Sequence, residues 1–286
     1  MDITAYLNRI AHRGPIEPTG ETLRALHLAH LLAVPFENLD IGLGRPIVLD
    51  QAALFDKIVV RRRGGFCYEL NGLFAALLRA LGFEVTMLSA GVGRAGGGFG
   101  PEFDHLTLLV TTDDRRPTTD EEPSSSRQPP VNGQSAICNL ESAMVWLADV
   151  GFGDSFREPL QFDLPGEQPQ GRHAYRIDRA DEHLTLLQRE PGQGQNEDSV
   201  WEPQYRFTLQ PRQHAEFAGM CQYHQSSPQS SFTQRRVCTR ATPEGRITIS
   251  DMRLIVITNG ARQERLLADE AEYRSILRDH FGIDLT

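Results

Sequence analysis

Three residue types in this chain add up to one chemistry: a cysteine as nucleophile, a histidine to carry its proton and a carboxylate to hold the histidine. The cysteine sits in RRGGFCYELNGLFAALLRALGF, residues 62–83. Leu70, Leu73, Phe74, Leu77, Leu78 and Leu81 recur at three-and-four spacing, which predicts a helix with one apolar face, and Gly82 follows as its C-terminal stop. Cys67 then lies just before or within the first turn. Unpaired N–H groups and the positive end of the helix dipole favour a thiolate there, so the thiol pKa is expected to fall. Gly64 and Gly65 leave room for another group to approach the backbone beside the sulfur. Taken alone, the stretch also fits a small buried cysteine that only packs.

The histidine and the carboxylate come from segments with strand character, FEVTMLSAGV at 83–92, HLTLLVTT at 105–112 and AMVWLADVGFG at 143–153. Residues 113–142 between the last two are rich in Pro, Ser and charge, and read as a mobile hairpin insert in which Cys138 is an incidental exposed thiol. Antiparallel pairing around the insert sets His105 opposite Asp149 and Thr111 opposite Ala143. The imidazole is expected to meet the carboxylate through Nδ1, leaving its other nitrogen facing outward. A thiol, an imidazole and a carboxylate so arranged carry out acyl transfer. Because the insert lies at the far end of the hairpin, deleting residues 116–136 is expected to spare that chemistry.

The elements that must position these groups fit an ordinary soluble globular composition: 286 residues, 40% hydrophobic and 23% charged, enough for two or three subdomains. A net charge of -9 argues against a dedicated binder of nucleic acid or anionic membrane. No apolar run is long enough for a membrane span and no signal peptide opens the chain, which points to the cytoplasm. Cys67, Cys138, Cys221 and Cys238 form no CxxC pair, so reduced thiols are expected, and the dispersed histidines give no metal site.

The first eighty residues read as helical, with His27 and His30 as packing residues and VPFENLDIGLGRPIVLD at 34–50 as a loop. HAYRIDRADEHLTLLQRE at 173–190 reads as a hairpin, and GQGQNEDS at 192–199 as a polar link. WEPQYRFTLQPR at 201–212 reads as a strand entering a third region of consecutive strands, closed by an amphipathic helix in ADEAEYRSILRDHFGI.

PFENLD, RRGGFCYELNGLF, HLTLLV, WLADVGFGD, YRFTLQPR and SSPQSSFTQ, in that order, resemble the motifs of the arylamine N-acetyltransferases nearly from end to end. The resemblance implies an α+β fold of three parts: a helical bundle (1–84), a β-rich barrel-like domain (85–198) and a C-terminal α/β lid (199–286), with a papain-like catalytic core. It implies Cys67, His105 and Asp149 as catalytic, acetyl-CoA as co-substrate with no metal, and an arylamine or arylhydrazine as acceptor in a ping-pong transfer. Phe36, Val92 and Phe152 match residues of the family's acceptor pocket and equally fit ordinary core packing; Tyr223 matches a tyrosine near the cleft and the cofactor, and the loop GVGRAGGGFGPEF with Gly97 and Gly98 reads as a flexible hairpin first and a cofactor wall second. Arg63 and Glu37 match a pair that supports the cysteine loop. Asp104 departs from the threonine common before the histidine, which leaves the second oxyanion donor unassigned. Met220 and Cys221 depart from the usual pattern before the tyrosine. Two other activities fit the same residues: amide synthesis from a carrier-bound acyl donor, and thiol-dependent hydrolysis. The oligomeric state is not written in these motifs.

Overall fold

The computed structural model describes residues 1–112, 143–190 and 200–285. The insert at 113–142 with its Cys138, and the polar link, lie outside the described residues. Helices α1 (Ile3–Arg9) and α2 (Gly20–Ala33) open the chain, each started by a polar side chain on a free N–H: Asp2 accepts from Ala5 at 2.9 Å and Thr19 from Thr22 at 3.2 Å. The segment expected as a loop contains two short elements instead, strand β1 (Phe36–Glu37) and helix α3 (Leu39–Gly42). Glu37 makes both possible: its backbone pairs with the C-terminal sheet, and its carboxylate accepts the Leu39 N–H at 2.8 Å. Helix α4 (Gln51–Phe55), capped by Asp50, runs into a π-helical turn (Asp56–Val60) that carries Lys57 inward. Helix α5 (Cys67–Ala80) is the expected one and buries Leu70, Leu73, Phe74, Leu77 and Leu78 completely. Each such side chain contributes roughly 1.5–3 kcal/mol relative to exposure. Gly82 lies past its end with φ +93°, a conformation that suits glycine.

Strands β2 (Glu84–Val92), β3 (His105–Thr112), β4 (Met144–Ala148), β5 (Leu160–Gln161), β6 (Gln168–Gln170), β7 (His173–Ala180), β8 (His183–Arg189) and β9 (Glu202–Arg212) form one antiparallel sheet. Their spatial order is β5-β4-β3-β2-β9-β8-β7-β6. The two edges nearly close into a barrel, bridged by glutamine side chains that act as strand backbone. Gln168 accepts from the Gln161 N–H at 2.8 Å and donates to its carbonyl at 2.9 Å, while Gln170 does the same for Arg157, Glu158 and the Glu158 carbonyl. Strand β9, expected at the entry to the third region, is hydrogen-bonded between β2 and β8, so the expected division near residue 198 falls before a strand that completes the barrel.

The β3–β4 register differs from expectation by two residues: Thr111 faces Val145, not Ala143, and pairing stops at Leu108–Ala148. A shift of two is a full pleat period, so every side chain keeps its face. Asp149, one residue past the strand, therefore reaches His105 on the diagonal rather than directly across.

A second antiparallel sheet has the order β1-β10-β11-β12-β13, with β10 (Val237–Thr242), β11 (Gly245–Ser250), β12 (Arg253–Thr258) and β13 (Ala261–Leu266). Helices α6 (Ala218–Ser226) and α7 (Ser231–Gln234) precede it, and α8 (Glu270–Ile276) covers its inner face with Tyr273 and Ile276. Three cores result: one where α5 packs on Leu106, Leu108, Val110 and Trp146, one inside the barrel around Tyr205 and Phe207, and one under α8. Strand β3 is buried on both faces and separates the first two cores.

Candidate active site

Cys67 is the first residue of α5, with an exposure of only 4%. Burial pushes its thiol well above the ordinary value, against the fall expected from the helix terminus; the Leu106 N–H works in the opposite direction, while Asp149, Cys221 and Asp104 add to the rise. Gly64 and Gly65 are required for a reason other than space beside the sulfur. A side chain at Gly64 would meet the Pro35 carbonyl, and one at Gly65 would meet the carboxylate of Glu69. That carboxylate accepts the Phe66 N–H at 3.1 Å and so fixes the turn that presents Cys67.

His105 begins β3 and Asp149 follows β4; both are 2% exposed. His105 Nε2 donates to Asp149 Oδ2 at 2.6 Å. The contact uses Nε2, not the expected Nδ1. Nδ1 is thereby the nitrogen left to exchange a proton. Asp149 Oδ1 accepts from Asn71 Nδ2 at 2.8 Å and from the Gly151 N–H at 3.0 Å. Burial alone would raise the Asp149 pKa, but His105, Asn71 and Gly151 together hold it below the usual carboxylate value.

Asn71 is four residues after Cys67, hence on the same helix face. Besides Asp149 it holds the Leu106 carbonyl at 2.6 Å and accepts the Val150 N–H at 2.9 Å, tying α5, β3 and the segment after β4 together. Gly151 packs so closely there that a β-carbon would lie 2.8 Å from both Cys67 Cα and Asn71 Nδ2. Sequence reading missed Asn71, although its i+4 relation to the cysteine was the available signal. His27, expected only to pack, accepts the Asp149 N–H at Nε2 (3.1 Å) and donates from Nδ1 to the Arg157 carbonyl (2.8 Å). Burial lowers its pKa to about 4, so this link is neutral at pH 7.

Phe152 lies edge-on to His105, with centroids 5.2 Å apart, and Tyr205 packs against both rings, at 5.1 Å from His105 and 5.3 Å from Phe152. Tyr205 was not singled out in the sequence. Phe36 bridges to Gly65, two residues before Cys67, and packs its ring against Phe232. Val92 ends β2, with its N–H on Asp104 Oδ2 at 3.2 Å. The second carboxylate oxygen of Asp104 pairs with His224 Nε2 at 3.2 Å, which joins the residue before His105 to α6. Tyr223 is 42% exposed and touches the His224 ring. Gly97 and Gly98 form an exposed turn tip, with φ +87° and +77°. Neither Tyr223 nor the turn tip contacts Cys67, His105 or Asp149 in the hydrogen-bond and ring-contact geometry of the described residues.

Beneath the cysteine turn lies a buried ion network. Arg63 pairs with Glu37 at 2.8 Å and Asp40 at 3.0 Å, and Lys57 pairs with Asp40 at 2.8 Å and Glu69 at 2.7 Å. Glu37 also accepts the Gly64 N–H at 3.3 Å. Only Arg63 and Glu37 were evident from motifs; Lys57, Asp40 and Glu69 meet through the π-helical turn, which leaves no periodic signal. Among the described residues no group of three His, Cys, Asp or Glu side chains could hold a metal ion, and no helix is long and apolar enough to cross a membrane.

A buried cysteine at a helix start, with a carboxylate-held histidine on a strand packed against that helix, is an arrangement whose residue types are those of thiol-dependent acyl transfer. The profile of a family described as N-acetyltransferase matches residues 19–122 and 122–286. The arylamine N-acetyltransferase of Mycolicibacterium smegmatis is 32% identical over 289 residues, covering 100% of this chain and 93% of that protein. The solved arylamine N-acetyltransferase of M. tuberculosis superposes with a TM-score of 0.79 at 30% identity, over 99% of this chain and 94% of that one. The Mycobacterium marinum enzyme, solved in complex with CoA, gives a TM-score of 0.78 at 28% identity, over 99% and 93%. The chain belongs to the arylamine N-acetyltransferase family, a family of acyltransferases.

Proposed function

We propose that this protein moves an acetyl group from acetyl-CoA to arylamines and arylhydrazines by a ping-pong route through Cys67, and that it acts in the cytoplasm, where a reduced thiol persists. The observation that carries the reading is the 2.6 Å His105–Asp149 pair at the helix start that bears Cys67. In the first half-reaction the Cys67 sulfur attacks the thioester carbonyl carbon while its proton passes to His105 Nδ1. A carbon–sulfur bond to Cys67 forms, the bond to the CoA sulfur breaks, and CoA leaves with the proton from His105. In the second half the amine nitrogen attacks the acetyl carbon, the bond to Cys67 breaks, and one amine proton returns through Nδ1 to the cysteine sulfur. Asp149, held by Asn71 and Gly151, stabilises the intermediate imidazolium. The Cys67 backbone N–H, without a hydrogen-bond partner among the described residues at the helix start, serves the oxyanion.

Phe152 and Phe36, with Val92 at the end of β2, would form the acceptor wall, and an aryl ring beside Phe152 lies next to the proton-accepting histidine. Tyr223, Gly97 and Gly98 would lie on the CoA side. Arg63 and Glu37 would hold the cysteine turn from below.

The test is intact-protein mass spectrometry after brief exposure to acetyl-CoA, comparing the wild type with Cys67→Ala. One acetyl adduct in the wild type only, discharged by an arylamine, supports the route. An adduct lost to water and indifferent to arylamines would indicate a hydrolase. No adduct and no turnover would redirect the donor to a carrier-bound acyl group.

A further inference from the structure

Two residues before His105 the backbone takes a conformation that is rare for a bulky side chain: Phe103 has φ +66°. Such a residue costs about 1–3 kcal/mol and persists only where its surroundings over-determine it. Here they do so from several elements at once. The Phe103 N–H donates to Ser89 Oγ of β2 at 2.6 Å. The hydroxyl of Tyr68, the residue after Cys67, donates to the Phe103 carbonyl at 2.7 Å and lies 3.1 Å from that of Asp104. The Phe103 ring meets Phe217 edge-on at 5.2 Å, and the Arg212 guanidinium lies 4.9 Å from its centre. Asp104 completes the set, with Oδ2 accepting the Val92 N–H at 3.2 Å and Oδ1 at 3.2 Å from His224 Nε2.

His224 is buried on α6, and its ring is oriented from both nitrogens. Ser230 Oγ accepts the Phe232 N–H at 3.2 Å, which leaves its own hydrogen to donate to His224 Nδ1 at 3.0 Å. A neutral ring then carries its proton on Nε2, on the side of Asp104. The same ring stacks on Tyr68, with centroids 6.1 Å apart, and meets Phe232 edge-on at 5.2 Å. His224 therefore touches the chain neighbour of each catalytic group: Tyr68 beside Cys67 through its face, and Asp104 beside His105 through its edge. The acyl-transfer chemistry itself uses neither Asp104 nor His224. We propose that these two are positioning residues for the reaction: their contact sets the start of β3, and with it the His105 ring, relative to the start of α5 and the Cys67 sulfur. Catalytic geometry thereby depends on α6 being seated against the strand. The kinetic consequence rests on the acyl-transfer reading; the effect on the thiol does not.

The test measures kcat and KM for 4-aminobenzoate, together with Tm, in His224→Leu, His224→Gln and Asp104→Asn. Small displacements of a reacting group are costly, so kcat should fall about fivefold or more in His224→Leu and in Asp104→Asn, with KM within about twofold. His224→Gln, which offers an N–H near the place of Nε2, should recover at least half of the leucine variant's loss on a logarithmic scale. The double variant His224→Leu, Asp104→Asn should be no slower than the slower single one, because both remove the same contact. A smaller fall in kcat, a loss expressed in KM alone, a glutamine variant that recovers less, or losses that multiply would each overturn the proposal. If His224→Leu does not fold, kcat in His224→Gln at least about threefold above that in Asp104→Asn upholds it, and a smaller difference overturns it. Alkylation of Cys67 by iodoacetamide at neutral pH needs no substrate and should rank the variants in the same order. Equal alkylation rates remove the positioning role. A wild type that forms no acetyl adduct at Cys67, with that order kept, would remove the acyl-transfer reading and leave the positioning role standing.

Discussion

Asn71 Nδ2 lies 2.8 Å from Asp149 Oδ1, although the two residues are 78 positions apart in the chain. The same amide also holds the Leu106 carbonyl and the Val150 N–H, so one side chain of the cysteine helix fixes both strands that supply the histidine and the carboxylate. Asn71→Ala removes a donor from a buried carboxylate and strands a buried N–H. A loss of about 2 kcal/mol in urea unfolding is expected, with a fall in kcat larger than any rise in KM for the acceptor. Unchanged kcat in the folded variant would show that Asp149 needs no support from the helix.

Lys57 joins Asp40 and Glu69, both buried. Lys57→Met leaves Glu69 without its cation and Asp40 with Arg63 alone, so about 3–5 kcal/mol of stability should be lost. The double variant Lys57→Met, Glu69→Gln should lose less than the sum of the two single changes, because the orphaned charge has gone. Strict additivity in denaturant melts would mean that the pair is not coupled.

Glu69 gives a pH signature. Burial, only partly opposed by Lys57, raises its pKa from 4.5 to about 6. The folded carboxyl then binds its proton more tightly than the unfolded one, so its contribution to stability is fullest below 4.5 and declines as pH rises towards 6. Asp149 and Asp40, with lowered pKa values, act in the opposite sense and lose their contribution in acid. The stability of the wild type relative to Glu69→Gln should therefore drop by about 2 kcal/mol between pH 4.5 and 7. A flat difference across that range, measured by urea unfolding, would contradict the assignment.

Burial holds the Cys67 thiol protonated well above the ordinary thiol value. Alkylation of Cys67 by iodoacetamide should accelerate steadily as pH rises past the free-thiol range near about 8.5, with no plateau in the neutral region. A rate already maximal at pH 6 would instead reveal a resting thiolate–imidazolium pair.

The sequence carried the parts of this site that obey a period. The apolar stripe of α5 located Cys67, and the strand character of 105–112 and 143–148 located His105 and the neighbourhood of Asp149. Pairing register is a long-range property, and its two-residue difference from expectation makes the His105–Asp149 contact diagonal while each side chain keeps its face; which ring nitrogen makes the contact depends on side-chain torsions that no local pattern encodes. Asn71, His27 and Tyr205 were hidden for the same reason: each becomes part of the site only through segments distant in the chain. The thiol pKa went the other way because local helix electrostatics is visible in sequence while enclosure by the rest of the fold is not. Strand β9 was assigned outward because nothing in its own residues tells which sheet will receive it.

Strand β1 has a consequence for the timing of synthesis. Phe36 and Glu37 pair with Thr239 and Cys238, two hundred residues later, and Glu37 is also what braces the Gly64 turn before the nucleophile. Translation proceeds from the N-terminus at roughly 5–20 residues per second. A nascent chain that has made Cys67, His105 and Asp149 still lacks the strand that seats Glu37. The reactive centre is therefore finished only when the last fifth of the polypeptide has emerged.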